Sequence, residues 1–100
     1  MNVIIESNDG MPSIIADGST QYRKNGKLHR LYGPAVILPD GTEKYYREGV
    51  LHREGDLPAY IKPGAITAYY KKGKLHRSNG PAVIYGNGGK YWFIDGVEQA

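Results

Sequence analysis

One ten-residue pattern recurs along this chain, and its recurrence constrains the fold more than any other feature of the sequence. The pattern is Gly-x-Leu-His-Arg-x-x-Gly-Pro-Ala, and its copies occupy residues 26–35, 49–59 and 73–82, the middle copy being one residue longer. The histidines of these copies, His29, His52 and His76, are 23 and 24 residues apart. Because the spacing is nearly constant, the pattern indicates one small structural unit that is copied and completed by its neighbours.

The composition predicts short strands joined by many turns. The chain of 100 residues contains 14 glycines, 6 prolines and 9 tyrosines. No stretch shows a sustained 3.6-residue apolar period, so helix is disfavoured. A chain of this length is typical of one domain with one modest core. Cysteine is absent, which excludes disulfides and thiolate metal sites and favours a reducing compartment.

We therefore predict an all-β fold in which residues 1–100 form a single domain. The predicted architecture is one twisted antiparallel meander sheet, built from stacked β-hairpin repeats of about 23 residues. The repeats span approximately residues 11–20 in a degenerate form, 21–44, 45–68, 69–90 and, in part, 91–100. Val3–Ile5 is expected to form a first strand. Hairpin turns with positive φ are expected at Asn25-Gly26, Glu48-Gly49, Lys72-Gly73 and Asp95-Gly96.

Two sets of side chains are expected to form ladders that share the buried face of the sheet, because side chains alternate between the faces of a strand. The aromatic ladder consists of Tyr22, Tyr46, Tyr70 and Trp92. The aliphatic ladder consists of Ile15, Ile37, Ile61 and Ile84. The first aromatic residues of three pairs, Tyr45, Tyr69 and Tyr91, are then expected on the opposite, open face.

The His-Arg pairs admit two interpretations. In the first, the three histidines are structural, each bonding a backbone carbonyl, and the arginines cover the aromatic ladder through their stems or a cation–π contact. In the second, the arginines Arg30, Arg53 and Arg77 form a basic row that meets an acidic partner or phosphates. Zinc is disfavoured because equivalent positions of successive two-strand repeats lie roughly 10 Å apart. No metal or cofactor is expected.

No catalytic constellation is visible in the sequence, and we expect no enzyme. The serines lack a nucleophile-elbow pattern, and a cysteine nucleophile is absent. The glycines are in phase with hairpin turns, unlike those of a phosphate-binding loop or a dinucleotide fingerprint. The neighbouring carboxylates Glu54 and Asp56 are more typical of a solvated loop than of an acid–base pair.

The His-Arg-x-x-Gly-Pro-Ala segments, together with the paired aromatic residues, resemble the MORN-variant repeat, a β-hairpin unit of bacterial and phage proteins. The resemblance covers approximately residues 11–98. It implies an elongated antiparallel sheet used for protein contacts. Some members of that family are antitoxin-like or immunity proteins, and many are encoded in phage genomes.

These observations lead us to expect a non-enzymatic binding protein, in which Tyr45, Tyr69, Tyr91 and the three arginines contact a protein target. The resemblance suggests a cytoplasmic inhibitor of a bacterial defence system or toxin. One alternative is a ligand for nucleic acid or anionic lipid, although the net charge of +3 is spread along the chain. A second alternative is a structural homo-oligomer assembled through unpaired edge strands. No membrane span is expected.

Overall fold

The computed structural model describes residues 10–100, and these form short strands and turns without a helix. The expected first strand, Val3–Ile5, lies outside the described residues. The strands are β1 (Met11–Ile14), β2 (Thr20–Lys24), β3 (Lys27–Leu28), β4 (Val36–Ile37), β5 (Glu43–Lys44), β6 (Tyr46–Arg47), β7 (Val50–Leu51), β8 (Tyr60–Lys62), β9 (Ile66–Ala68), β10 (Tyr70–Lys71), β11 (Lys74–Leu75), β12 (Val83–Tyr85), β13 (Lys90–Tyr91), β14 (Phe93–Ile94) and β15 (Val97–Glu98). The all-β prediction is confirmed.

The described strands are distributed over one large sheet and three small hairpins, and every pairing is antiparallel. The nine-stranded sheet has the order β1-β2-β4-β5-β8-β9-β12-β13, with β3 paired to β2. The pairs β6-β7, β10-β11 and β14-β15 are separate two-stranded ladders. The prediction of a single sheet is therefore corrected to a main sheet that carries hairpins.

The chain leaves the main sheet at one aromatic residue in front of each hairpin. At Tyr45, between β5 and β6, the backbone N–H donates to the carbonyl of Ala59 at 2.7 Å. The carbonyl of Tyr45 accepts instead from the N–H of His52 at 3.0 Å. The two backbone groups of Tyr45 thus pair with different partners, and this divides what would otherwise be one strand.

The hairpin turns have the geometry that their sequences predict. Both residues of Asn25-Gly26 have positive φ, at 53° and 79°. The pairs Glu48-Gly49, Lys72-Gly73 and Asp95-Gly96 share this property. Positive φ at both central residues is the mark of the type I′ turn, whose twist matches that of the flanking strands.

The fully buried positions in the described chain are small residues. Ala35, Ala59 and Ala82, the last residues of the three repeated segments, have no exposed surface. Both backbone groups of each alanine are hydrogen-bonded. In Ala59, for example, the N–H donates to the carbonyl of Ala68 at 2.9 Å, and the carbonyl accepts from the N–H of Tyr45. The molecule measures only 19 Å along its shortest axis, within an extent of 55 × 25 × 19 Å. A body this thin has little interior volume, so its fully buried side chains are small.

The two ladders predicted to form the buried face are therefore less buried than expected. Ile37, Ile61, Ile84, Tyr22, Tyr46 and Tyr70 are half-buried. Ile15 is 36% exposed and Trp92 is 46% exposed. Val36 and Val83, which are adjacent to two of the predicted isoleucines, are buried instead. Among residues 10–100, the fully buried side chains are thus small, and the larger ladder side chains keep part of their surface exposed.

Candidate functional site

The aromatic residues in front of the hairpins occupy equivalent positions, which backbone hydrogen bonds define. The carbonyls of Tyr22, Tyr45 and Tyr69 accept from the N–H groups of His29, His52 and His76, and that of Trp92 accepts from Gln99. The predicted ladder of Tyr22, Tyr46, Tyr70 and Trp92 is corrected accordingly, because it combines two positions. The constant spacing of seven residues from aromatic residue to histidine, or to Gln99, is the sequence signal that identifies the equivalent set.

Each of the three arginines lies on the aromatic ring of its own unit. The guanidinium carbon is 3.8 Å from the ring centroid for Arg30 on Tyr22, 3.8 Å for Arg53 on Tyr45 and 3.9 Å for Arg77 on Tyr69. The Nη1 atoms donate to the carbonyls of Pro34, Pro58 and Pro81 at 3.2, 2.9 and 3.1 Å. Ring and carbonyl together hold each guanidinium in one orientation.

Glycine of the Gly-Pro-Ala segment leaves room for this arrangement. A Cβ atom on Gly33 would lie 2.9 Å from Cζ of Arg30, and one on Gly80 would lie 3.1 Å from Nη1 of Arg77. In the middle copy Leu57 precedes the proline, and the loop is one residue longer. The guanidinium is therefore packed between a tyrosine ring and the backbone in the first and third copies.

Each histidine joins one hairpin to the next. Nδ1 of His29, His52 and His76 accepts the backbone N–H of Glu48, Lys72 and Asp95, at 3.0, 2.9 and 3.0 Å. The donors are the first residues of the following type I′ turns. The sequence interpretation expected a bond from imidazole to a carbonyl, whereas at Nδ1 the partner is a backbone N–H and the ring nitrogen is the acceptor. A neutral imidazole with its proton on Nε2 satisfies this geometry.

The loop of the middle copy adds two charged contacts. Asp56 accepts from Arg77, with Nε to Oδ1 at 2.8 Å and Nη2 to Oδ2 at 3.2 Å. The Arg77 hydrogen bond holds the pKa of the Asp56 carboxyl below its usual value. Glu54 contacts Nε2 of His52 at 2.5 Å, and this bond lowers the pKa of Glu54 in the same way. The middle loop is thus the acidic part of this surface.

Two open grooves lie between successive loops. The first groove, about 360 Å³, runs between the loop that contains Tyr32 and the side chain of Arg53. The second groove, about 370 Å³, runs between the middle loop and the side chain of Arg77. The Asp56–Arg77 pair crosses the second groove.

The six residues predicted to bind a partner are not equally available on this surface. Tyr45 and Tyr69 are half-buried beneath arginines, so their rings are covered in part rather than fully exposed. Tyr91 is 44% exposed and packs edge to face on Tyr85, with centroids 5.7 Å apart. The three arginines are half-buried at the groove walls.

Sequence reasoning missed two exposed hydrophobic side chains of the loops. Tyr32 is 83% exposed and Leu57 is 49% exposed, and both line the first groove. The available signal was the variability of the loop: the third residue before the buried alanine is Tyr32, Asp56 or Asn79 in the three copies.

Within residues 10–100, no group of three histidine, cysteine, aspartate or glutamate side chains is placed to hold a metal ion. The same residues include no helix of the length and apolarity needed to cross a membrane. Comparison of the sequence with protein-family models and curated proteins, and of the fold with solved structures, found no match.

Proposed function

We propose that this protein is a non-enzymatic binding module that docks on a protein target and blocks it, as an inhibitor of a bacterial defence system or an antitoxin does. The proposal includes a stack of hairpin repeats of about 23 residues, of the MORN-variant kind, acting in the cytoplasm of a bacterial or phage-infected cell. The observation that carries it is the loop surface around the first groove. There Tyr32 and Leu57 protrude beside arginines that are already held in place.

The chemistry of this surface supports protein binding. Tyrosine and arginine are enriched among the residues that contribute most to protein interfaces. Arginines that are fixed by a ring and a carbonyl lose little conformational freedom on association. The exposed Tyr32 ring has few rotatable bonds and a polar end, which suits a wet interface.

Affinity capture from a host extract, followed by measurement with the purified partner, tests the proposal. The double variant Tyr32→Ala/Leu57→Ala is expected to weaken partner binding by about tenfold or more, while its thermal unfolding stays close to that of the wild type. Ile14→Ala is the matched control, because Ile14 is 80% exposed on β1, outside both groove linings. The control is expected to bind normally.

Three results would contradict the proposal. Binding of a random oligonucleotide or of anionic vesicles with a steep dependence on salt, and without a protein partner, would indicate the nucleic-acid or lipid alternative. Concentration-dependent growth in light scattering without another partner would indicate self-assembly through edge strands. Binding to a protein whose activity is unaffected would leave a docking module and remove the inhibitor.

A further inference from the structure

Arg77 shows how an arginine of the repeated segment binds a carboxylate. Its ring contact with Tyr69 and its Nη1 bond to Pro81 leave Nε and Nη2 directed at the second groove. Asp56 takes both of these donors, with one carboxylate oxygen on each. This is the bidentate geometry in which the planar fork of arginine binds carboxylates most strongly.

Arg53 is held by the same two kinds of contact as Arg77 but has no carboxylate partner among the described residues. Its guanidinium lies on Tyr45, and Nη1 donates to Pro58. In the preceding loop, the position equivalent to Asp56, counted back from the buried alanine, is Tyr32. Among residues 10–100, no carboxylate forms an ion pair with Arg53. Nε and Nη2 of Arg53, the two atoms that bind Asp56 in Arg77, therefore have no carboxylate partner among these residues.

The charge of the first groove favours an anion. Arg30, Arg47 and Arg53 line it, whereas its acidic lining residue is Glu54, which is bonded to His52. Nε of Arg30 is buried, so Arg53 offers the more accessible fork. Tyr32 and Leu57 stand at the groove and would contact the residues around an incoming acid.

We propose that the Arg53 guanidinium is the docking point for an aspartate or glutamate side chain of the partner protein, bound bidentately as Asp56 is bound by Arg77. This inference rests on the proposed protein-binding function and names the chemistry that the partner presents. A carboxylate is favoured over a phosphodiester backbone for two reasons. The internal example on Arg77 is a carboxylate, and a strand of phosphates needs several free cations in a row, whereas Arg77 is neutralised by Asp56.

Nitrogen-15 NMR of the arginine Nε–Hε groups tests the site without a known partner. The probe is N-acetylaspartate amide, and N-acetylasparagine amide is its uncharged control. We expect the Arg53 signal to shift and saturate at millimolar concentration, while the Arg77 signal stays in place. In Asp56→Asn the freed Arg77 is expected to respond as well. In Tyr32→Asp an internal acid is expected to occupy Arg53 and abolish its response.

Several outcomes would overturn the inference. The Arg53 signal could remain unmoved, respond equally to the uncharged amide, or saturate with inorganic phosphate at much lower concentration than with N-acetylaspartate amide. The purified partner supplies a second test, in which Arg53→Lys keeps the charge and removes the fork. We expect Arg53→Lys to weaken partner binding by about tenfold or more.

The two proposals fail in different ways. Unchanged partner affinity in Arg53→Lys would refute the carboxylate site and leave the protein-binding function standing. A saturating response of Arg53 to N-acetylaspartate amide, in a protein that captures no partner, would leave the site standing and refute the function.

Discussion

The bond between His52 and the following hairpin makes a sharp prediction about stability. His52 is buried, and its Nδ1 accepts the Lys72 N–H at 2.9 Å. Replacement by alanine removes a hydrogen bond with a net contribution of about 1 kcal/mol, together with packing of the buried ring of roughly 1–2 kcal/mol. We therefore expect His52→Ala to lower the free energy of unfolding by about 2–3 kcal/mol.

Two further variants separate the hydrogen bond from the packing. His52→Phe keeps a ring in the site and leaves the Lys72 amide without an acceptor, which costs about 1–3 kcal/mol. His76 makes the equivalent bond to Asp95, but its side chain is 19% exposed, so solvent can replace the lost acceptor. His76→Ala is accordingly expected to cost about 1 kcal/mol.

Urea unfolding monitored by circular dichroism and by Trp92 fluorescence measures these free energies. Amide hydrogen exchange then tests the mechanism, because the Lys72 amide should exchange faster in both His52 variants. A His52→Phe protein that unfolds at the wild-type urea concentration, with unchanged protection of the Lys72 amide, would refute the reasoning. Such a result would mean that the hairpins are joined chiefly by other contacts.

Three other predictions concern the contacts of Arg30 and Arg77. Tyr69→Leu removes the ring beneath the Arg77 guanidinium and should lower the free energy of unfolding by about 1 kcal/mol; a double-mutant cycle with Arg77→Gln that shows no coupling would contradict this. In Gly33→Ala a Cβ would lie 2.9 Å from Arg30 Cζ, so the Arg30 guanidinium has to move away from the Tyr22 ring; a loss of about 0.5–1 kcal/mol, that of the cation–π contact, is expected on thermal unfolding, and a melting temperature equal to the wild type would argue against this contact. Arg77 lowers the folded-state pKa of Asp56, so the pair should stabilise the fold above the unfolded carboxyl pKa and lose this contribution as pH falls through the folded value; stability measured from pH 6 to pH 2 should decline less in Asp56→Asn than in the wild type, and parallel curves would exclude the pair as a contributor.

Part of the candidate site was accessible to sequence reasoning. The recurrence of His-Arg together with aromatic residues led to the expectation of a cation–π contact, and the three arginines do lie on tyrosine rings. The predicted register of the rings is wrong, because Tyr22 and Trp92 occupy the position of Tyr45 and Tyr69, whereas the predicted ladder groups them with Tyr46 and Tyr70. The pairing of Arg77 with a carboxylate could not be predicted from the sequence, since it depends on Asp56 reaching an arginine 21 residues away in sequence.

The sequence by itself determined the strand-and-turn character of the chain and the places of its hairpins. Turn dipeptides, alternation and the repeated segment are local properties, and local properties suffice to predict a type I′ turn at Glu48-Gly49. Only the tertiary structure decided which side chains are buried and which arginine lacks a carboxylate partner among residues 10–100. Burial depends on how many layers cover a face, and an unused donor depends on what the adjacent loop supplies, so neither follows from one segment taken alone.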